Sequence, residues 1–172
     1  EELERLTRTD EVTGLANRRH WLQTTRNTVH ATQSGAILLL DVDNFRQINE
    51  RFGSAAADNI LHALGQILSR HGHAGRLGSD AFGLLADGDI ATASDIAQRV
   101  VAQVQESFEA GTGAKVDVSI GCAAAPHHGL ELADLLEAAD MALVDAKRAG
   151  RSKAAVAGLE LAHEAHPDQF AA

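Results

Sequence analysis

A chain of 172 residues, 45% hydrophobic and 23% charged, has the composition of one globular domain with a sizeable core. Its net charge of −9, from 15 basic and 24 acidic residues, argues against the basic patch that a nucleic-acid-binding surface needs. Its one cysteine, Cys122, rules out an intrachain disulfide and fits a reducing cytoplasm, and no apolar run approaches the roughly 18 residues of a membrane helix.

Glu1 to Arg8 sets Leu3 and Leu6 among charges. It reads either as the end of a signalling helix or stalk, or as a frayed terminal helix. Because it opens mid-pattern, the chain reads as a piece of a larger protein, so any sensor or membrane anchor would lie elsewhere. In Asp10 to Arg19, Gly14 permits a tight turn and Asn17 can N-cap a helix through about Ala31. Arg18 and Arg19 offer donors to loop carbonyls or carboxylates.

Ala36 to Leu40 is a continuous apolar run, as in a strand buried on both faces. It ends in Asp41-Val42-Asp43, and ligands of α/β sheets bind outside strand ends. A short helix follows from Phe45 to Arg51, with Gly53 as its C-cap. The next helix starts near Ser54, with Ile60, Leu61, Leu64, Ile67 and Leu68 on one face. His71 and His73 read as exposed turn histidines, since no cysteine or carboxylate joins them at zinc-like spacing.

Arg76 to Leu85 reads as a β-hairpin with Gly78-Ser79-Asp80 at its tip. Ser79 adds a side chain there and disfavours a positive-φ turn. Asp80 at the tip and Asp41 at the upstream strand end can share a divalent cation such as Mg²⁺, which takes oxygen ligands and is held by one or two carboxylates plus phosphates. Ile96, Val100, Val101, Val104 and Phe108 mark one helix face, and Gly111-Thr112-Gly113 a loop. Val116, Val118, Ile120 and Cys122 alternate along a strand. Leu132, Leu135, Leu136, Ala139, Leu143 and Ala146 line a last helix stopped by Gly150. Taken alone, Lys147 and Arg151 are a basic end that complements the helix dipole. Lys153 to Val156 reads as an edge strand, and the tail from Gly158 carries no assignable function.

Five ordered motifs between about residues 9 and 156 resemble the GGDEF family, the bacterial diguanylate cyclase domains. Asp10 to Arg19 is similar to the family's Asp-x-Leu-Thr-Gly-Leu-x-Asn-Arg-Arg. Asp41 to Asp58 is similar to Asp-Ile-Asp-x-Phe-Lys-x-Ile-Asn-Asp-x-x-Gly-His-x-x-Gly-Asp, with Ser54 for His and Ala57 for Gly. Gly78 to Phe82 is similar to Gly-Gly-Asp/Glu-Glu-Phe, with Ser79 for the second glycine and Ala81 for the glutamate. Val118 to Gly121 matches Val-Ser-Ile-Gly. Ala146 to Arg151 is similar to Ala-Lys-x-x-Gly-Arg, with Val144 in place of a usual tyrosine.

The resemblance implies an α/β (α+β), palm-like nucleotidyl cyclase fold, with a five-stranded, mainly antiparallel central sheet flanked by helices. It implies a linker at 1–9, the domain at 10–157 and a tail or linker at 158–172. In the family two domains face each other, each holding one GTP, and join the two into cyclic di-GMP with release of diphosphate. Carried over residue by residue, Asp41, the carbonyl of Val42 and Asp80 would hold Mg²⁺, and Asp80 would be the catalytic group. The N–H groups of Asn44, Phe45 and Arg46 would cradle phosphates. Asn49 and Asp58 would pair with the guanine edge. Gly78 and Ser79 would line the nucleotide, and Lys147 and Arg151 would reach its terminal phosphates.

Loss of the glutamate at Ala81 implies impaired catalysis. The expected role is a GTP-binding regulatory domain of cyclic di-GMP signalling that passes its occupancy to a neighbouring domain, with a homodimer through the upstream helix and linked sensor and EAL-type phosphodiesterase domains as the expected partners. The alternatives are a weakly active diguanylate cyclase and a ligand-free dimerisation or docking module. Many family members carry an inhibitory product site, Arg-x-x-Asp. Its matching positions here are Ser69 and Gly72, so no product-inhibition site is expected.

Overall fold

The computed structural model describes residues 3, 7–111 and 115–158. In chain order these form β1 (Ala16–Asn17), α1 (Arg18–Thr32), β2 (Gly35–Val42), α2 (Phe45–Phe52), α3 (Ser54–Ser69), β3 (His73–Arg76), β4 (Ala81–Ala86), α4 (Ile90–Gly111), β5 (Val118–Ala125), α5 (Leu132–Arg148) and β6 (Ala154–Val156). Leu6, the Thr112-Gly113 part of the expected loop, and the tail beyond Gly158 lie outside the described residues. Gly111 is the last residue of α4 rather than part of that loop.

The apolar run of β2 places it near the middle of a six-stranded sheet of order β1-β3-β4-β2-β5-β6. It pairs antiparallel with β4 on one side and β5 on the other. Alternation along β2 then serves two cores. Ala36, Leu38, Leu40 and Val42 pack with α3 and α4 on one face. Ile37 and Leu39 pack with α1 and α5 on the other. Each fully buried Leu or Ile contributes roughly 1.5–3 kcal/mol. The two helical layers are therefore dictated by a strand apolar on both sides.

The sheet has six strands where five were expected. The added one is β1, two residues long, in the stretch read as turn and cap; it pairs parallel with β3. What holds it there is the packing of α1. Trp21 is fully buried and lies across Gly75 and Gly83, which are cross-strand partners in β3 and β4. A Cβ on Gly75 would stand 2.4 Å from the indole, and one on Gly83 2.7 Å, so only glycine leaves room for the ring. The indole N–H donates to the His73 carbonyl at 2.9 Å.

Three further readings are corrected. His73 is not an exposed turn histidine: it lies in β3, and its buried Nε2 has no partner. Burial, and then the neighbouring His20, push its pKa below the ordinary value. β5 starts at Val118, two residues later than the alternation from Val116 suggests, and all eight of its residues are buried. Its central position, with α4 on one side and α5 on the other, explains why a continuous Cys-Ala-Ala-Ala end extends the strand. The expected edge strand at Lys153 is Ala154–Val156, running parallel to β5. No described helix is long and apolar enough to cross a membrane.

Candidate nucleotide site at the end of strand β2

β2 delivers Asp41 to the α1/α5 face of the sheet, opposite Ala81 of β4 and Ser119 of β5. The chain then turns through Asn44, whose φ of 54° is left-handed, a conformation asparagine tolerates better than most residues. α2 begins at once, and Asn44 makes no side-chain cap bond. The N–H groups of the first turn, at Phe45 and Arg46, therefore have no intrahelical acceptor and present a partial positive charge. The Arg46 side chain is engaged elsewhere, with Glu50 at 3.0 Å in solvent.

Two carboxylates at this strand end have different duties. Asp43 is 7% exposed and fully committed. One oxygen accepts from the Ser119 hydroxyl at 2.7 Å and the other from the Ser152 N–H at 2.9 Å. It fastens β2 to β5 and to the segment after α5, a role the sequence did not disclose. Among the described residues Asp41 has a single side-chain partner, the ammonium of Lys147 from the last turn of α5. Arg151, expected beside Lys147, is exposed on a left-handed backbone turn with φ 62°.

The turn that carries Asp80 lies against the same strand end, with the Val42 N–H donating to the Asp80 carbonyl at 3.0 Å. Its shape comes from Arg76. That guanidinium donates to the Gly78 carbonyl at 3.0 Å and the Ser79 carbonyl at 2.9 Å. It also reaches both Asp10 oxygens, at 3.2 and 3.3 Å. Asp10 in turn accepts from the Thr13 N–H at 2.9 Å and the Thr13 hydroxyl at 2.7 Å. Burial pushes the Asp10 carboxyl up, but the Thr13 and Arg76 hydrogen bonds and the Arg76 charge outweigh it and hold the pKa below the usual value. Arg18 adds a bond to the Leu77 carbonyl at 3.3 Å.

The expectation that Ser79 strains the turn is not met. Neither Gly78 nor Ser79 is among the positive-φ residues, and a Cβ on Gly78 would make only ordinary contact with Ala81 at 3.4 Å. Arg76 was legible only as part of a hairpin; nothing local announced that it would reach Asp10, 66 positions away.

Asn49 and Asp58 stand on α2 and α3, both exposed and, among the described residues, without side-chain hydrogen-bond partners. The helices are joined by Gly53 alone, whose φ of 86° needs glycine. On the other side of Asp41 a cavity of about 390 Å³ opens at Ala81, walled by Leu22, Leu39, Leu136 and Leu143.

Among the described residues no three or more His, Cys, Asp or Glu side chains form a group that could hold a metal ion. What the strand end and turn offer is two carboxylates and a main-chain carbonyl, all hard oxygen donors. That set is too small for a metal cage within the protein. It fits a Mg²⁺ ion whose remaining ligands are water and substrate phosphates.

The sequence model described as diguanylate cyclase, GGDEF domain, matches residues 7–153. The chain belongs to the GGDEF family. Its relatives include an uncharacterized 19.3 kDa protein from the repSA 5′ region of Streptomyces ambofaciens, 37% identical over 151 residues, covering 85% of this chain and 80% of that protein. The diguanylate cyclase DgcS of Shewanella oneidensis is 33% identical over 153 residues, 83% of this chain and 50% of DgcS. The GGDEF chain thus spans half the length of DgcS. Among solved structures, a microbial GGDEF domain studied with cyclic di-GMP superposes with a TM-score of 0.78 at 28% identity, over 90% of this chain and 99% of that one. The architecture described above is accordingly the GGDEF cyclase fold, and the chain is a GGDEF domain of cyclic di-GMP signalling.

Proposed function

We propose that this GGDEF domain, spanning 10–157, binds GTP with Mg²⁺ and acts as a catalytically impaired regulatory domain for whatever it is linked to. The observation that carries this reading is an asymmetry across one pair of strands. Asp41 and its flanking N–H groups are in place, while Ala81, directly opposite Asp41, has no carboxylate. In this reading Asp41, the Val42 carbonyl and Asp80 hold Mg²⁺, which neutralises the triphosphate when bound. The N–H groups of Asn44, Phe45 and Arg46 hold phosphate oxygens, and Gly78 and Ser79 border them. Asn49 supplies a donor and an acceptor to guanine, and Asp58 accepts from its N1–H and amine. Lys147 and Arg151 take the terminal phosphates.

Losing one acid–base or metal group costs about 10²–10⁴-fold in rate. A slow residual cyclase, with Asp80 as the catalytic group, is the second reading, favoured by the unstrained turn. Feedback by product at Ser69 and Gly72 is outside the proposal, because a Cβ at Gly72 would meet the Leu85 carbonyl at 2.2 Å and leaves no room for an acidic side chain. A homodimer through the upstream helix, linked sensor or EAL-type domains and a cytoplasmic setting complete the reading.

Calorimetric titration with GTP in Mg²⁺ tests it. Saturable micromolar binding is expected, with Asn49→Ala and Asp58→Ala each weakening it about tenfold, the scale of one lost polar contact. Unchanged affinity in both variants would discard this pocket. Chromatography for cyclic di-GMP separates the two readings, and Ala81→Glu with Ser79→Gly raises any turnover.

A further inference from the structure

Asp41 is expected to serve a metal, yet it already holds a cation of its own. Lys147 donates to it from α5, 106 positions away in sequence. The two side chains are 22% and 37% exposed, so the pair is only partly screened by solvent. No second donor reaches the Asp41 carboxylate among the described residues. Asp80, on the facing turn, is expected to serve the same metal, and the other carboxylates at the strand end among the described residues are already engaged. Asp43 is saturated by Ser119 and Ser152, and Asp117 is taken by Ser152, Gln105 and Lys115. Asp140, two turns back on α5, lies about 10 Å away along the helix axis.

We infer that Lys147 is an exchangeable internal counter-ion which excludes metal from Asp41 until a nucleotide phosphate takes the ammonium in trade. The inference rests on the Mg²⁺–GTP reading of the site and adds an order to it. Metal arriving alone must strip Lys147 from Asp41 and leave a partly buried ammonium unpaired. Nucleotide arriving alone can draw Lys147 away, but leaves Asp41 as a bare carboxylate facing phosphates. When both arrive, each charge gains a new partner: Asp41 takes the cation and Lys147 the anion. Metal and nucleotide therefore bind with positive coupling, and the coupling factor is the same whichever is bound first. Lys147 is in this sense a positioning residue for the metal as well as a phosphate ligand. Its removal has opposite signs on the two ligands.

The test uses Mn²⁺ as the metal, counted by the electron paramagnetic resonance signal of the free ion, with and without GTP. Wild type is expected to hold Mn²⁺ weakly alone and at least about tenfold more tightly with GTP, within the usual range of coupling between two sites. Lys147→Met, similar in length and uncharged, is expected to bind Mn²⁺ alone about tenfold more tightly than wild type. The same variant binds GTP more weakly, and the coupling shrinks towards one. Lys147→Arg keeps the charge and retains weak binding of the bare metal, which separates a charge effect from a packing effect. Asp41→Asn abolishes the metal site in every background. If Lys147→Met leaves bare Mn²⁺ affinity unchanged or weaker while GTP still binds in an Asn49-dependent way, the exchange is wrong and the nucleotide site stands. If GTP binds no variant and Asp41→Asn is without effect on Mn²⁺, both the exchange and the site it rests on fall.

Discussion

The signature turn at 78–82 and the strand end at 41–43 touch each other, yet they are built from different materials. The turn is gripped through main-chain carbonyls: Arg76 holds the oxygens of Gly78 and Ser79, and Ala81 receives the N–H groups of Leu77 and Gly78. Every residue type supplies those atoms. The strand end is held through side chains: Asp43 to Ser119, Asp41 to Lys147. Only particular residues supply those. The two letters by which the motif departs, Ser79 and Ala81, both lie in the region held by backbone. Shape and residue identity are therefore separable here: the two departures change side chains and leave the turn without a positive φ.

Substitutions in three places sharpen the contrast: at Asp43, at Arg76 and in the signature turn. Asp43→Ala should have the largest effect, because it leaves the buried Ser119 hydroxyl and the half-buried Ser152 N–H without their acceptor. A loss of about 3 kcal/mol is expected in urea unfolding. A loss below about 1 kcal/mol would mean that solvent replaces the carboxylate and that the strand end is not held as described.

Arg76→Ala comes next, at about 2 kcal/mol, and Arg76→Lys should recover little of it, since an ammonium cannot span two carbonyls and a carboxylate at once. The pH dependence adds a second readout. Asp10 has a folded-state pKa below its unfolded value, so its contribution is present above the unfolded value and lost as pH falls through the folded one. That acid limb should flatten in Arg76→Ala, because the Arg76 bonds and charge that help to lower the pKa are gone. Thermal melts between pH 2 and 6 would register the difference, and an unchanged limb would assign the shift to Thr13 alone.

The smallest effect belongs to Ser79→Gly with Ala81→Glu. The turn needs no positive φ, and Ala81 borders a cavity, so restoring the family letters should move the melting midpoint by the equivalent of less than about 0.5 kcal/mol. A large destabilisation would show that the turn's shape had adapted to its present residues.

Much of the fold could be read from local pattern. The helix from Asn17, the Phe45 helix with its Gly53 stop, and the two-sided strand before Asp41 all depend on caps and periods contained within a dozen residues. β1 could not be read, because two residues carry no period; its pairing is set by Trp21 docking on distant glycines. His73 looked like part of a turn because its strand is short and glycine-interrupted. In the candidate site, Asp41, Asn49, Asp58, Asp80 and Lys147 were legible as chemistry-bearing types in ordered motifs. That Asp41 and Lys147 neutralise one another, and that Asp43 is structural, depends on contacts across 106 and 76 positions, which no local window contains.

Trp21 is the chain's one tryptophan, and the chain has no tyrosine. The indole that beds on Gly75 and Gly83 is therefore a single built-in fluorophore, directly beneath the hairpin that presents Asp80. Its emission reports on one place only, the seating of α1 against β3 and β4, with no tyrosine or second tryptophan to blur the signal. Excited at the red edge, it follows the hairpin in the unlabelled protein, so any ligand that shifts the turn can be watched in real time by the spectrum of a buried residue.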